Sequence, residues 1–146
     1  MSASLPAVPW QVTGNHWLSL PCVHPADAAI HAMGVLHRGA RAAIELAGDA
    51  GFVDGAGEPL ARPVVRVDGE PRALAREGLA WERAFGWLPT FTCTIGQLVV
   101  RGTIFAPHGR DADVAGAVYT LAVENRSAEA IRVTLSLEGR LGHRQV

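Results

Sequence analysis

An all-β fold, an antiparallel sandwich, is predicted by three alternating stretches and the turn signals between them. In residues 130–138, Ile131, Val133, Leu135 and Leu137 alternate with Arg132, Thr134, Ser136 and Glu138. Successive strand side chains point to opposite faces, so this segment has one dry face and one wet face. Upstream, Tyr119, Leu121 and Val123 alternate with Thr120, Ala122 and Glu124. The connection 125–129 has an odd number of residues, so the two apolar faces coincide and the segments read as neighbours in one sheet. Further back, Phe91, Cys93 and Ile95 meet Leu98, Val100 and Ile104 across Gly96-Gln97, a glycine-first turn that suits a type II′ hairpin.

Taken in order, residues 1–15 carry Pro6, Pro9 and Gly14 and read as an extended lead-in. Residues 17–20 form a short strand that Pro21 should stop. Between residues 25 and 48 two readings compete. Ile30, Met33, His37, Ala40 and Ile44 fall at helical spacing behind Asp27 as a cap. Gly34 and Gly39 oppose a helix by about 1 kcal/mol each relative to alanine. The alternative is a hairpin of 30–36 with 42–46, turning at 37–41, and the all-β surroundings favour it. Residues 48–59, rich in Gly, Asp and Ala, are loop. Segments 63–67 and 70–74 flank Asp68-Gly69, a strong hairpin signal, with Pro63 at a strand start or on an edge. Trp81, Phe85, Trp87 and Phe91 share one parity, and Glu82, Ala84, Gly86 and Thr90 the other. Residues 107–115 are a polar crossover. Short strands separated by turns suit a sandwich or an open barrel. Nothing caps the sheet after residue 139, so 131–137 is expected at an open edge, a pairing hazard. The chain reads as one domain, 1–146, incomplete at its C-terminus.

A chain of 146 residues can bury a real core, and a formal net charge of −1 gives no electrostatic basis for nucleic acid or an anionic membrane as partner. The thirteen basic residues are all arginine, which reads as codon bias. The N-terminus lacks a basic start and an apolar h-region, and no apolar run reaches membrane-spanning length, so the plain reading is cytoplasmic. Cys22 and Cys93 do not make a disulfide scaffold; an oxidising compartment would allow one bridge between them, but two buried thiols are the default reading.

Cys22, His24, His31 and His37 offer zinc donors, but their spacing matches no standard zinc module, so neither metal nor other cofactor is expected. Glu77 and Glu82 flank Trp81, and Asp111 and Asp113 share a loop. Glycoside hydrolysis needs carboxylates opposed across a cleft, so these read as solvated charges. No nucleophile elbow, P-loop or dinucleotide fingerprint occurs, and no catalytic residue is assigned. The candidate substrate-binding residues are Trp81, Trp87 and Trp17, because indole stacks on the apolar face of a sugar ring and also donates a hydrogen bond. For Trp81 and Trp87, which share their parity with Phe85 and Phe91, burial in the sandwich core is the competing reading. Trp10 and Trp17 are expected at the surface or against a further domain.

Three segments, Leu98-Val-Val-Arg-Gly-Thr-Ile-Phe-Ala-Pro107, Gly116-Ala-Val-Tyr-Thr-Leu-Ala-Val-Glu-Asn125 and Ile131-Arg-Val-Thr-Leu-Ser-Leu-Glu-Gly139, carry a resemblance. Over its last third the chain resembles the N-terminal β-sandwich of glycoside hydrolases and phosphorylases with an (α/α)₆ barrel, cellobiose phosphorylase-like and glycogen-debranching-like. The resemblance implies part of a supersandwich domain. It also implies that the catalytic carboxylates sit in a helical domain of a longer parent chain, and that this portion packs on that domain, shapes one wall of its cleft and contributes to a homodimer. A free-standing carbohydrate-binding module is the alternative, with at least two exposed aromatics on one face.

Overall fold

In the computed structural model, which describes residues 10–11, 14–37, 42–47, 58–140 and 142–145, the chain is an all-β sandwich. Its strands are β1 (Trp10–Gln11), β2 (Leu18–Val23), β3 (Ile30–His37), β4 (Ala42–Ala47), β5 (Arg62–Val67) and β6 (Glu70–Arg72). A single helical turn, α1 (Leu74–Glu77), precedes β7 (Ala80–Ala84), β8 (Leu88–Ile95), β9 (Leu98–Phe105), β10 (Val118–Asn125), β11 (Val133–Glu138) and β12 (Gly142–Gln145). They form three antiparallel sheets, ordered β1-β2-β3-β4-β12, β10-β9-β8-β7 and β11-β5-β6.

The alternating residues place the core. Phe91, Cys93, Ile95, Leu98 and Val100 of β8 and β9 face Val65, Val67 and Val133 of β5 and β11, with Leu74 of α1 closing the cluster. A second cluster of Val23, Ile30 and Ile104 joins the five-stranded sheet to the same layer, and Trp81 and Tyr119 pack against both clusters. A bridge between Ile30 and Ala61 ties β3 to the approach to β5.

The β8–β9 hairpin pairs Ile95 with Leu98 across Gly96-Gln97, with φ 58 at Gly96, as the sequence predicts. The segment between 25 and 48 is the hairpin, with Leu36 opposite Ala43 and His37 opposite Ala42; residues 38–41 of its turn lie outside the described residues. The 48–59 loop lies outside them as far as residue 57, and so do residues 1–9 of the lead-in. At Asp68-Gly69 both residues take positive φ, 50 and 90, so β5 turns directly into β6. The second arm ends at Arg72 rather than 74, because Leu74 turns into α1 and drops into the core.

Several further expectations change. Pro21 does not end its strand: β2 continues to Val23 by absorbing the proline at a register shift between Ser19 and Pro21. The segments around Tyr119 and Ile131 are not neighbours in one sheet. β10 pairs with β9, while β11 crosses to the other layer and pairs with β5. The parity argument survives that crossing, since Val123, Ile131 and Val133 point into one core from two layers. The dry face of β11 is dry only at its start, because Leu135 and Leu137 are 38% and 47% exposed. Finally, Trp81 to Phe91 is not one continuous strand. The chain reverses at residues 85–87, so Trp81 and Phe91 stay inside while Phe85 and Trp87 form the tip of a hairpin. Among the described residues, β11 pairs on one side only, the open edge predicted.

Candidate functional site

The candidate tryptophans separate by role. Trp81 sits on β7 with its ring edge-to-face against Phe91, centroids 5.4 Å apart, and its Nε1 donates to the Pro25 carbonyl at 2.7 Å. Tyr119 donates its hydroxyl to the Ala28 carbonyl at 2.9 Å. These two bonds clasp the 24–29 loop, whose buried Ala28 holds a positive φ of 58, onto the β10-β9-β8-β7 sheet. A buried indole N–H or phenol needs such a partner, which explains why amphipathic aromatics stand here. Burial, followed by the charge of Asp27, pushes the Tyr119 phenol well above its usual range.

Trp87 lies at the β7–β8 tip, 38% exposed, with its ring edge-on to His108 at 4.7 Å and 89°. Beside it Phe85 is 90% exposed and held at a φ of 54. A bulky L-residue in the left-handed region carries roughly 1–2 kcal/mol of strain. Bonds from Gly86 N to Arg83 O (3.1 Å) and Trp87 N to Ala84 O (3.3 Å) close the turn, and Arg83 Nη1 donates to the Trp87 carbonyl at 3.2 Å.

Trp17 is half-buried, and the two residues before it bond to the crossover that follows β9. Asn15 Nδ2 donates to the carbonyls of Pro107 (3.0 Å) and Val114 (2.8 Å), while its Oδ1 accepts from Trp17 N at 3.0 Å. His16 N donates to Ala112 O at 3.1 Å, and His16 Nδ1 meets Asp113 Oδ1 at 3.0 Å. The crossover therefore carries the Trp87–His108 pair at one point and the Asn15–Trp17 segment at another. Along it lie the exposed His108 imidazole, which meets the Trp87 ring, and the exposed Asp113 carboxylate, which meets His16. Trp81, in the core, is not part of this surface. Sequence reasoning missed Asn15, His108 and Phe85; the signal for the last was Gly86, a turn residue hidden within an aromatic parity.

Elsewhere, His24 and His31 stack in the interior, centroids 5.1 Å apart at 14°, and no group of three or more metal-ligating side chains assembles among the described residues. Glu77, Glu82, Asp111 and Asp113 are all exposed. Cys93 is buried in the core, and burial followed by the charge of Glu77 pushes its thiol up. The side chain of Cys22 lies outside those described. A groove of about 590 Å³ on the β11-β5-β6 sheet is lined by Arg62, Arg66, Arg72, Glu58 and Glu138 among others. There Arg66 meets Glu138 at 2.7 Å, and Ser136 Oγ donates to Glu138 at 2.9 Å. The hydrogen bond from Arg66, then that from Ser136, holds the Glu138 carboxyl below the usual range.

Fold and site define a β-sandwich with an aromatic, polar-lined end, and no helix among the described residues is long and apolar enough to cross a membrane. Compared with known protein families, curated proteins and solved structures, the chain matches none.

Proposed function

We propose that this chain is the non-catalytic β-sandwich portion of a cytoplasmic carbohydrate-active enzyme, a glycoside hydrolase or phosphorylase. It packs beside a helical catalytic domain and contacts sugar through the Phe85–Trp87 tip and the neighbouring crossover. The observation that carries the reading is Phe85, a bulky aromatic held out at 90% exposure on a backbone of φ 54. Strain of this kind persists where the surroundings enforce it, and it concentrates at ligand contacts. The pair of exposed aromatics on one tip also suits a free-standing carbohydrate-binding module, which uses the same surface.

The test is titration of the chain with gluco-oligosaccharides, followed by calorimetry and by tryptophan fluorescence. Saturable binding is expected, lost in Trp87→Ala. In Phe85→Asn, whose side chain tolerates positive φ, binding should weaken while the fold gains about 1 kcal/mol. Absence of binding to any oligosaccharide, or binding indifferent to both substitutions, overturns the assignment of sugar contact to this tip. Turnover of the oligosaccharide by the isolated chain overturns the non-catalytic reading.

A further inference from the structure

We propose that β11 is a self-complementary edge that pairs antiparallel with β11 of a second copy, centred on Leu135. Among the described residues β11 is bonded on one side only, to β5. Asp68 N donates to Arg132 O at 2.9 Å, so Arg132 turns its carbonyl towards β5. Antiparallel ladders alternate, so Thr134, Ser136 and Glu138 also face β5 with their backbone groups, and Val133, Leu135 and Leu137 face outward. Pairing about Leu135 brings those outward groups of the two copies together, with roughly six new backbone bonds.

The same register matches every side chain. Arg132 of each copy falls opposite Glu138 of the other, Thr134 opposite Ser136, Val133 opposite Leu137, and Leu135 opposite itself. Arg132 and Glu138 are both exposed on the wet face, so two symmetric ion pairs flank the hydroxyl pairs. Glu138 already receives Arg66, so each carboxylate would stand between two guanidiniums. On the other face the contact covers Leu135 and Leu137, the apolar side chains that the chain's own second layer leaves 38% and 47% exposed. Shifting the register by one residue opposes Arg132 to Leu137 or Gly139 and loses the charge match. The product is a six-stranded sheet, closed by a two-fold axis and limited to two copies through this edge. The pairing uses the opposite layer from the aromatic tip and does not depend on the sugar reading.

Equilibrium sedimentation of the 146-residue chain should show a dimer. Leu135→Lys, a surface change, should leave the circular dichroism spectrum intact and yield a monomer. Arg132→Glu and Glu138→Arg each set like charges face to face twice and should weaken self-association by about tenfold. An equimolar mixture of those two variants restores both ion pairs and should form heterodimers. Register is read separately: chains with Thr134→Cys and with Ser136→Cys, mixed and oxidised, should cross-link to each other and not to themselves. A parent chain that stays monomeric, a dimer untouched by Leu135→Lys, or variants that do not prefer each other would each overturn the pairing.

Discussion

Gly102 lies directly opposite Phe91 in the β8–β9 hairpin, and the Phe91 ring folds across it. A Cβ at residue 102 would fall well inside contact with Phe91 Cε1 and Cζ, and 3.1 Å from Cδ1. The ring has little freedom to retreat: Phe91 is 0% exposed, with Trp81 edge-on at 5.4 Å and Tyr119 at 6.4 Å. Two effects of Gly102→Ala therefore oppose each other. Strand propensity alone favours alanine by roughly 0.5–1 kcal/mol. Overpacking a core typically costs about 1–3 kcal/mol, and a ring boxed in by two aromatics places this site at the upper end. Overlap should win, with a net loss of about 2 kcal/mol. In urea, where small domains lose roughly 1–3 kcal/mol of stability per molar, the midpoint should drop by about 1 M. The thermal midpoint should fall by roughly 8 °C, at about 4 °C per kcal/mol for a domain of this size. Because leucine in place of phenylalanine vacates the overlapped space, Gly102→Ala should cost much less in a Phe91→Leu background. Refutation is simple: if Gly102→Ala raises the midpoint, propensity governs the position and the ring is free to move.

Two predictions concern titration. Tyr119 is the only tyrosine, so phenolate absorbance reports on it alone. Its neutral form is favoured in the folded state, so that contribution to stability is complete below the free phenol value of about 10 and fades as pH rises through the higher folded value. Ionisation should accordingly coincide with alkaline unfolding, and a free-phenol titration curve in the folded protein would contradict the clasp on Ala28. For Glu138, depressed by Arg66 and Ser136, the sign reverses. Its contribution is present above the free glutamate value and is lost as pH falls through the lower folded one. A carboxyl-carbon NMR titration should place its midpoint below that of free glutamate, and Arg66→Ala should raise it.

Much of this architecture is written in the sequence at short range. The hairpins at Asp68-Gly69 and Gly96-Gln97 follow from turn chemistry, and the dry faces of β8, β9 and β10 follow from alternation of single residues. What could not be read was the choice of neighbour. Parity puts Val123 and Val133 on one side of the chain, and it is satisfied equally by adjacent strands and by strands facing each other across a core; the structure uses the second. The reversal at Phe85-Gly86-Trp87 was hidden for a related reason. A three-residue turn keeps Trp81 and Phe91 in register as partners, so the aromatic parity runs through the turn unbroken. The site suffered most: Asn15 and His16 bond to residues 107, 112, 113 and 114, far along the chain, and nothing local to either partner signals the contact.

Two phenylalanines six residues apart stand in opposite physical situations. Phe91 lies over a glycine, closed from solvent, in a relaxed strand where every neighbour gains from its burial. Phe85 precedes a glycine, stands 90% in solvent and occupies a backbone region that asparagine would fill with less strain. Folding alone explains the first and gives no reason for the second. An exposed aromatic kept at a conformational cost makes sense if its face is used by something that binds, and the edge-on Trp87–His108 pair beside it extends that face towards the crossover. The tip and the β11 edge belong to different layers of the sandwich, so a ligand on one and a second copy on the other can be accommodated together.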